Sequence, residues 1–216
     1  MNKIFSHHAK DSYFNKLRRK RFVHFLNFLK DIKRPLKILD VGGSELFWQM
    51  MDFNEDKVEI TILNLAKLPI QNKRLKSVAG DGRDINATTD KYYDVVFSNS
   101  VIEHLGTFED QFKMAGEVKR VGKNYYIQTP NKFFPIEPHF LFPLFQFLPF
   151  KYKVWLCTNF SLGHIGKLSR TEAEDQIKSI GLISKQELIK LFPNSKIYKE
   201  KFLGINKSFT VFGESR

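Results

Sequence analysis

Apolar and polar residues alternate at helical spacing near the start of this chain. In residues 9–33, Phe22, Phe25 and Leu29 recur at i, i+3 and i+7 with basic residues between them, and Pro35 follows. This spacing places the apolar side chains on one face of a helix, which the proline ends. We therefore predict an amphipathic N-terminal helix that packs one face against the rest of the protein.

After that helix, short apolar runs alternate with helical patterns. Strands that alternate with helices pair in parallel, and the last two runs flank a loop short enough to join antiparallel strands. The predicted strands cover residues 36–41, 58–64, 77–79, 93–98, 125–128, 196–202 and 208–212, and the predicted helices begin at Glu45 or cover residues 108–121, 170–180 and 184–191. The chain is therefore expected to be an α/β protein with a mostly parallel sheet.

The first predicted strand ends in an acid and runs directly into glycines. Asp40, Gly42 and Gly43 lie at this junction, where glycines let backbone N–H groups approach a ligand closely. A dinucleotide-binding turn would need glycines where Ser44 and Phe47 stand, and the sequence contains no phosphate loop of the G-x-x-x-x-G-K-[ST] type. The turn is thus typical of a nucleotide-type site that is not built for a pyrophosphate.

Several ordered segments resemble the class I S-adenosylmethionine-dependent methyltransferases, of the small-molecule or glycan type similar to methyltransferase type 11. Residues 40–44 resemble the family's first motif, Gly80-Asp81-Gly82 its Gly-Asp segment after the third strand, and residues 92–106 its fourth strand and following turn. The resemblance implies a Rossmann-like, doubly wound sheet of seven strands, with an antiparallel strand added by the C-terminal hairpin.

The same resemblance implies S-adenosylmethionine as cofactor. Ser44 replaces a usual glycine, and Asn64 replaces the acid that accepts hydrogen bonds from both ribose hydroxyls. Asp81 corresponds to the aspartate that faces the exocyclic amine of adenine, with a turn or cap role as the alternative. The residues implied to contact the cofactor are Asp40, Gly42, Gly43, Ser44, Asn64, Asp81, Gly82, Ser98 and Asn99.

Two histidines near the predicted site are candidates for catalysis. Methyl transfer to a hydroxyl requires alignment and removal of a proton, and the pKa of histidine lies near neutrality. We predict His104 and His139 as catalytic residues, with capping or packing as the alternative role for His104. We predict Glu103, Glu137, His139 and Phe142 as contacts of the methyl acceptor.

Residues 131–168 form an aromatic-rich insert. Nine aromatic residues lie within residues 133–155, where four prolines and several charges interrupt them. A membrane span needs about 20 uninterrupted apolar residues, so this segment is not one. Two interpretations stay open: a lid that covers the cofactor and excludes water, or a surface that dips into a membrane interface or accepts a lipid-linked substrate.

The formal net charge of +12 lies at the two ends of the chain. Residues 1–37 hold eleven Lys and Arg against two Asp, whereas residues 38–184 are nearly neutral. The basic residues of the helix within residues 1–35 have two interpretations: they bind a partner that carries phosphate groups, or they only keep one helix face solvated. RNA is the rival acceptor, but the turn at residues 99–102 lacks the Asn/Asp-Pro-Pro-aromatic motif of enzymes that methylate base amines. Nucleic acid is therefore the less favoured partner.

Composition predicts a single domain over residues 1–216. The chain is long enough for one sizeable core, Cys157 is its single cysteine, and the N-terminus lacks the apolar core of a secretory signal. We expect a cytoplasmic location, with peripheral contact at the inner membrane face as an option. No clustered carboxylates indicate a hard-cation site, so no metal is expected.

These features favour a methyltransferase that acts on a small molecule or a saccharide, with lipid-linked or surface-polysaccharide precursors as candidate acceptors. Two other functions remain as alternatives. One is an RNA-directed methyltransferase. The other is a non-catalytic protein of the same fold that binds a membrane or a partner through the aromatic insert.

Overall fold

A computed structural model describes residues 13–86 and 88–215 of the chain, with residues 13–17 as backbone only. The helices are α1 (Tyr13–Lys30), α2 (Glu45–Met50), α3 (Phe108–Val121), α4 (Phe150–Asn159), α5 (Arg170–Lys178) and α6 (Lys185–Leu191). The strands are β1 (Leu36–Val41), β2 (Val58–Asn64), β3 (Leu75–Ala79), β4 (Tyr93–Asn99), β5 (Gly122–Pro130), β6 (Ile136–Glu137), β7 (Phe142–Pro143), β8 (Lys196–Phe202) and β9 (Ile205–Glu214).

Seven of these strands form one sheet in the order β3-β2-β1-β4-β5-β9-β8. The first five strands of that order pair in parallel, whereas β9 runs antiparallel to both β5 and β8. The predicted Rossmann-like α/β fold is confirmed. Because the chain progresses outward in opposite directions from β1 and β4, their carboxyl ends form the switch point at which open α/β sheets bind ligands.

Apolar side chains cover both faces of the sheet. On one face, Phe22, Phe25 and Leu29 of α1 are buried with strand residues such as Ile38 and Val95. The opposite core contains residues of α3, α6 and the strands between them. The apolar face predicted for the N-terminal helix is therefore a packing face, and residues 9–12 of that predicted helix lie outside the described residues.

The structure extends several elements beyond their predicted bounds. β5 and β9 are longer than predicted because they pair with each other over seven residues. The hairpin turn is only Leu203 and Gly204, because β9 begins at Ile205 and not at the predicted residue 208. A 3-10 turn, Ile102–Leu105, precedes α3 and carries Glu103 and His104.

The aromatic insert has a small core of its own. Phe140 and Phe145 stack with ring centroids 4.1 Å apart and are buried with Cys157 of α4 and Ala173 of α5. The helix α4 was not predicted. No helix in the described part of the chain combines the length and the apolar character needed to cross a bilayer.

Candidate functional site

A buried carboxylate shapes the turn after β1. Asp40 is 1% exposed, and its Oδ2 accepts a hydrogen bond from Trp48 Nε1 at 2.7 Å. A Cβ on Gly43 would lie 1.7 Å from the same Oδ2. Gly42 has a φ of +74°, and a Cβ there would lie 2.6 Å from the Val101 side chain. Close packing therefore requires both glycines of the predicted turn.

Asp40 supports this turn from the protein interior. Burial raises the pKa of its carboxyl to about 7, and the hydrogen bond from Trp48 opposes the shift. A carboxyl so fully enclosed is positioned to hold the turn, not to face a ligand at the open edge of the sheet.

The two departures from the family's pattern have structural reasons. Ser44 is the N-cap of α2, and its Oγ accepts a hydrogen bond from the Phe47 N–H at 3.3 Å. Asn64 ends β2, and its Nδ2 donates to the Gly43 carbonyl at 2.9 Å. An ionised carboxylate cannot donate, so the usual acid would leave that carbonyl without this bond. Asn64 thus fixes the glycine turn and keeps its amide oxygen as an acceptor for a ligand hydroxyl.

Asp81 and Gly82 follow β3 at the same edge of the sheet. Arg83 donates to Asp81 through Nη2 at 2.6 Å and through its backbone N–H at 2.9 Å, and it also lies 3.3 Å from Asp110. The hydrogen bonds from Arg83 lower the pKa of Asp81, which keeps it an ionised acceptor. A Cβ on Gly82 would lie 2.9 Å from Val41, so this glycine lets the loop approach the end of β1.

The last two residues of β4 have different surroundings. Ser98 is fully buried, and its Oγ donates to the Val41 carbonyl at 3.1 Å, which ties β4 to β1. Asn99 Oδ1 accepts a hydrogen bond from Arg21 Nη2 at 2.9 Å. Arg21 also forms a buried ion pair with Glu200 on β8, at 2.5 Å. Through Arg21, α1 therefore reaches the ligand-binding edge.

The side chains of the two predicted catalytic histidines are in contact. His104 Nε2 lies 3.2 Å from His139 Nε2, and the two rings are nearly perpendicular. The buried Glu137 accepts from His139 Nδ1 at 2.6 Å and from the backbone N–H groups of His139 and Phe140. These three bonds use both oxygens of Glu137, so its carboxylate orients His139.

Glu103 lies beside this pair and is fully buried. Its Oε2 accepts from Thr129 Oγ1 at 3.0 Å, and burial raises the pKa of its carboxyl to about 7. Burial also lowers the pKa of His104, as does the neighbouring His139. Although burial opposes it, the hydrogen bond and charge of Glu137 raise the pKa of His139. Glu103, His104 and His139 each offer a ligand atom, and these atoms all lie within 4.8 Å of one another.

A cavity of about 200 Å³ lies beside Glu137. Lys153, Gln146 and Phe145 contribute to its lining, and the Oε1 atom of Gln146 is buried without a hydrogen-bond partner among the described residues. Phe142, predicted to contact the acceptor, is half-buried and packs edge-on against Phe145. The cavity thus combines aromatic walls with polar groups.

Sequence reasoning did not predict Arg21, Trp48 or Thr129 as parts of this site. Thr129 lies near the carboxyl end of β5, so its position in a parallel strand was an available signal. Arg21 and Trp48 carry no local signal, because tertiary packing alone brings them to Asn99 and Asp40.

Comparisons with known proteins agree with this geometry. Residues 45–125 match a family described as "Methyltransferase domain". Over 57 residues the chain is 37% identical to uncharacterized proteins from two strains of Mycobacterium tuberculosis, a match that covers 26% of this chain and 20% of theirs. The chain therefore matches about a fifth of the length of these curated relatives.

Solved structures share the fold at low sequence identity. A SAM-dependent methyltransferase from Methanosarcina mazei aligns with a TM-score of 0.54 and 11% identity over 88% of this chain and 96% of that one. One from Aquifex aeolicus aligns with a TM-score of 0.50 and 12% identity over 92% and 89%. PigF, solved with SAH, aligns with a TM-score of 0.51 and 15% identity over 95% and 68%.

The strand order and the glycine turn define an α/β domain of the kind that binds S-adenosylmethionine. Residues 45–125 match the methyltransferase-domain family, and the seven-stranded sheet has the fold of the S-adenosylmethionine-dependent methyltransferases with which it aligns. The residues present fit that cofactor, because Asn64 offers an acceptor oxygen and Asp81 an ionised carboxylate beside a turn that bulkier residues would block.

Replacing Asp40 should change how stability depends on pH. Between about pH 4 and pH 7, the folded protein retains a proton on Asp40 that the unfolded chain releases, so stability falls as pH rises. In Asp40→Asn this contribution disappears, and the unfolding free energy of the variant relative to wild type should rise by on the order of 2–4 kcal/mol across that window. Urea denaturation at several pH values measures it, with the exposed Asp52→Asn as control. If the difference in unfolding free energy between Asp40→Asn and wild type stayed constant from about pH 4 to about pH 7, the expectation would be wrong.

Restoring the family's usual acid at position 64 should weaken cofactor binding. Asn64→Asp loses the hydrogen bond to the Gly43 carbonyl, and we expect about a tenfold loss of affinity for S-adenosylhomocysteine in calorimetry, or about 1.4 kcal/mol. Asn159→Asp is a matched control, because Asn159 also donates to a backbone carbonyl but lies on α4. Tighter binding by Asn64→Asp would show that the turn does not depend on the amide.

Proposed function

We propose that this chain transfers a methyl group from S-adenosylmethionine to a small molecule or a saccharide. The observation that carries the proposal is that the glycine turn, Asn64 and Asp81 follow the carboxyl ends of parallel strands. His104, which follows β4, contacts His139 of the aromatic insert. The bound cofactor supplies an electrophilic methyl group for in-line displacement. The protein then has to align the acceptor with that methyl group and to exclude water.

The cavity beside Glu137 supports a polar acceptor. Gln146 Oε1 and the Lys153 ammonium can bind hydroxyl groups, while Phe140 and Phe145 provide apolar walls. Sugars present this combination, with hydroxyls at their edges and C–H faces that pack on aromatic rings. This combination of polar groups and aromatic walls suits a small saccharide or a compact polyol.

Within this proposal, His104 and His139 are the residues that contact the reacting group of the acceptor. Glu137 is a positioning residue, since its bonds hold the ring and backbone of His139. Glu103 is buried beside the histidines, and its carboxylate accepts a hydrogen bond from the Thr129 hydroxyl. Phe142 pairs with Glu137 across the β6–β7 hairpin and is proposed as a further contact of the acceptor.

Cofactor binding should depend on Asp81. A charge-assisted hydrogen bond contributes about 1.5–3 kcal/mol, so Asp81→Ala should bind S-adenosylhomocysteine at least tenfold more weakly than wild type in calorimetry. Asp110→Ala is the matched control, because it removes the other carboxylate near Arg83 without touching the adenine position. No binding by the wild type, or equal losses in both variants, would contradict the proposed cofactor site.

We further propose that the acceptor is carried at a membrane surface. The insert exposes several large aromatic side chains, and two of them, Phe133 and Phe147, stack with ring centroids 5.9 Å apart. Trp155 is half exposed on α4 and packs against Phe160. Exposed aromatic residues beside basic ones suit the interface of an anionic bilayer, which would present a lipid-linked saccharide to the site.

Substitution of the exposed aromatic residues should reduce membrane association. We expect Phe147→Ser with Trp155→Ser to lower co-flotation with vesicles of anionic phosphatidylglycerol several-fold, since about half of each side chain is exposed. Phe145 is unsuitable for this test because it is buried. Phe112→Ser, equally exposed but on α3, should leave flotation unchanged. A wild-type chain that does not float would contradict the proposed membrane contact.

A further inference from the structure

We propose that Glu103, His104 and His139 form a binding site for a divalent transition-metal ion. The three residues lie in two segments of the chain, the 3-10 turn after β4 and the aromatic insert. Two imidazole nitrogens and one carboxylate oxygen converge within 4.8 Å. This donor set suits Zn²⁺, Mn²⁺ or Fe²⁺ better than it suits Mg²⁺ or Ca²⁺, which prefer oxygen ligands alone.

The distance between the two histidine nitrogens equals the distance expected between two ligands of one metal ion. Metal–nitrogen bonds of about 2.0–2.1 Å, at angles between square and tetrahedral, place two ligand nitrogens roughly 2.9–3.4 Å apart. His104 Nε2 and His139 Nε2 are 3.2 Å apart. A separation of 3.2 Å is therefore the spacing expected of two nitrogens that bind one ion.

The bond from His139 to Glu137 has the geometry of a support for a metal ligand. A carboxylate accepts hydrogen bonds, so His139 Nδ1 donates to Glu137 Oε1, and in the neutral ring Nε2 then carries a lone pair. Metal-bound histidines usually donate their other ring N–H to a carboxylate in this way. Glu137 is itself held by the backbone N–H groups of His139 and Phe140. The ring is therefore preorganised as a ligand.

A buried oxygen of Glu103 provides a second, independent observation. Thr129 donates to Oε2, but Oε1 is enclosed without a hydrogen-bond partner among the described residues. A buried carboxylate oxygen without a partner is costly, and a cation would compensate for that cost. The metal site therefore accounts for an oxygen that the protein hydrogen bonds leave unpaired.

Three protein ligands leave coordination positions open on such an ion. As in catalytic metal sites, those positions can take water or an oxygen of a second molecule. This part of the inference rests on the proposed methyl transfer: an acceptor hydroxyl would be oriented by the ion beside the cofactor edge. The metal site itself can be tested without cofactor or acceptor.

Titration with Co²⁺ tests the site through its visible absorption. Full-length protein, stripped with a chelator and dialysed, should bind one Co²⁺ per chain and develop absorption bands of low-symmetry coordination, which Zn²⁺ should displace. His104→Ala and His139→Ala should lose saturable binding. Glu137→Gln should weaken it by about 10–100-fold, because support of the ligand ring is reduced.

Controls separate this result from misfolding and from a failure of the proposed function. His24→Ala removes a histidine that contacts Tyr126 away from the cluster and should bind Co²⁺ like wild type. Each variant should retain calorimetric binding of S-adenosylhomocysteine, which reports both the fold and the cofactor site. Absence of stoichiometric Co²⁺ binding, or binding that survives both His104→Ala and His139→Ala, would overturn the metal site. Loss of S-adenosylhomocysteine binding in wild type would instead overturn the proposed function.

Discussion

The ligand-binding edge of this protein depends on the buried carboxylate of Asp40. Its oxygen occupies the space where a side chain at position 43 would lie, and it accepts the indole N–H of Trp48, which lies in the core of one sheet face. The turn, the start of α2 and the end of β1 are therefore fixed by one buried group. Asn64 then ties the turn to β2 through the Gly43 carbonyl.

This arrangement explains why two departures from the family's pattern are compatible with a formed site. A serine can replace a glycine at position 44 because that position is a helix N-cap, where serine is favoured. An amide can replace an acid at position 64 because it donates to the turn with one atom and can accept with the other. Both changes place a hydrogen-bonding group at a position where it has a partner.

The sequence was informative where local pattern determines structure. The bounds of α3 and β8 agree with their predicted ranges, since regular periodicity and clear turn residues mark them. Prolines and closely spaced aromatic residues concealed α4, because no single helical face stands out in that segment. The ends of β5 and β9 depend on their pairing with each other. The paired residues are 78 to 90 positions apart in sequence, so the pairing leaves no local signal.

For the site, sequence reasoning predicted which residues lie near the edge but not what each one does. His104 and His139 come from separate segments, and only the folded insert brings their Nε2 atoms together. Ser98 was predicted from its position at the end of β4, but its hydroxyl is used between strands. Burial and partner choice decide such roles, and neither can be read from the order of residues.

The ion pair between Arg21 and Glu200 has a consequence for synthesis of the chain. It joins α1 to β8, and Arg21 also holds Asn99 at the ligand-binding edge. During synthesis, β1 to β5 leave the ribosome before residue 200 does. Until Glu200 has emerged, Arg21 lacks its carboxylate partner. The nascent chain can therefore assemble most of its parallel sheet early, but this edge is completed only after the C-terminal hairpin has emerged.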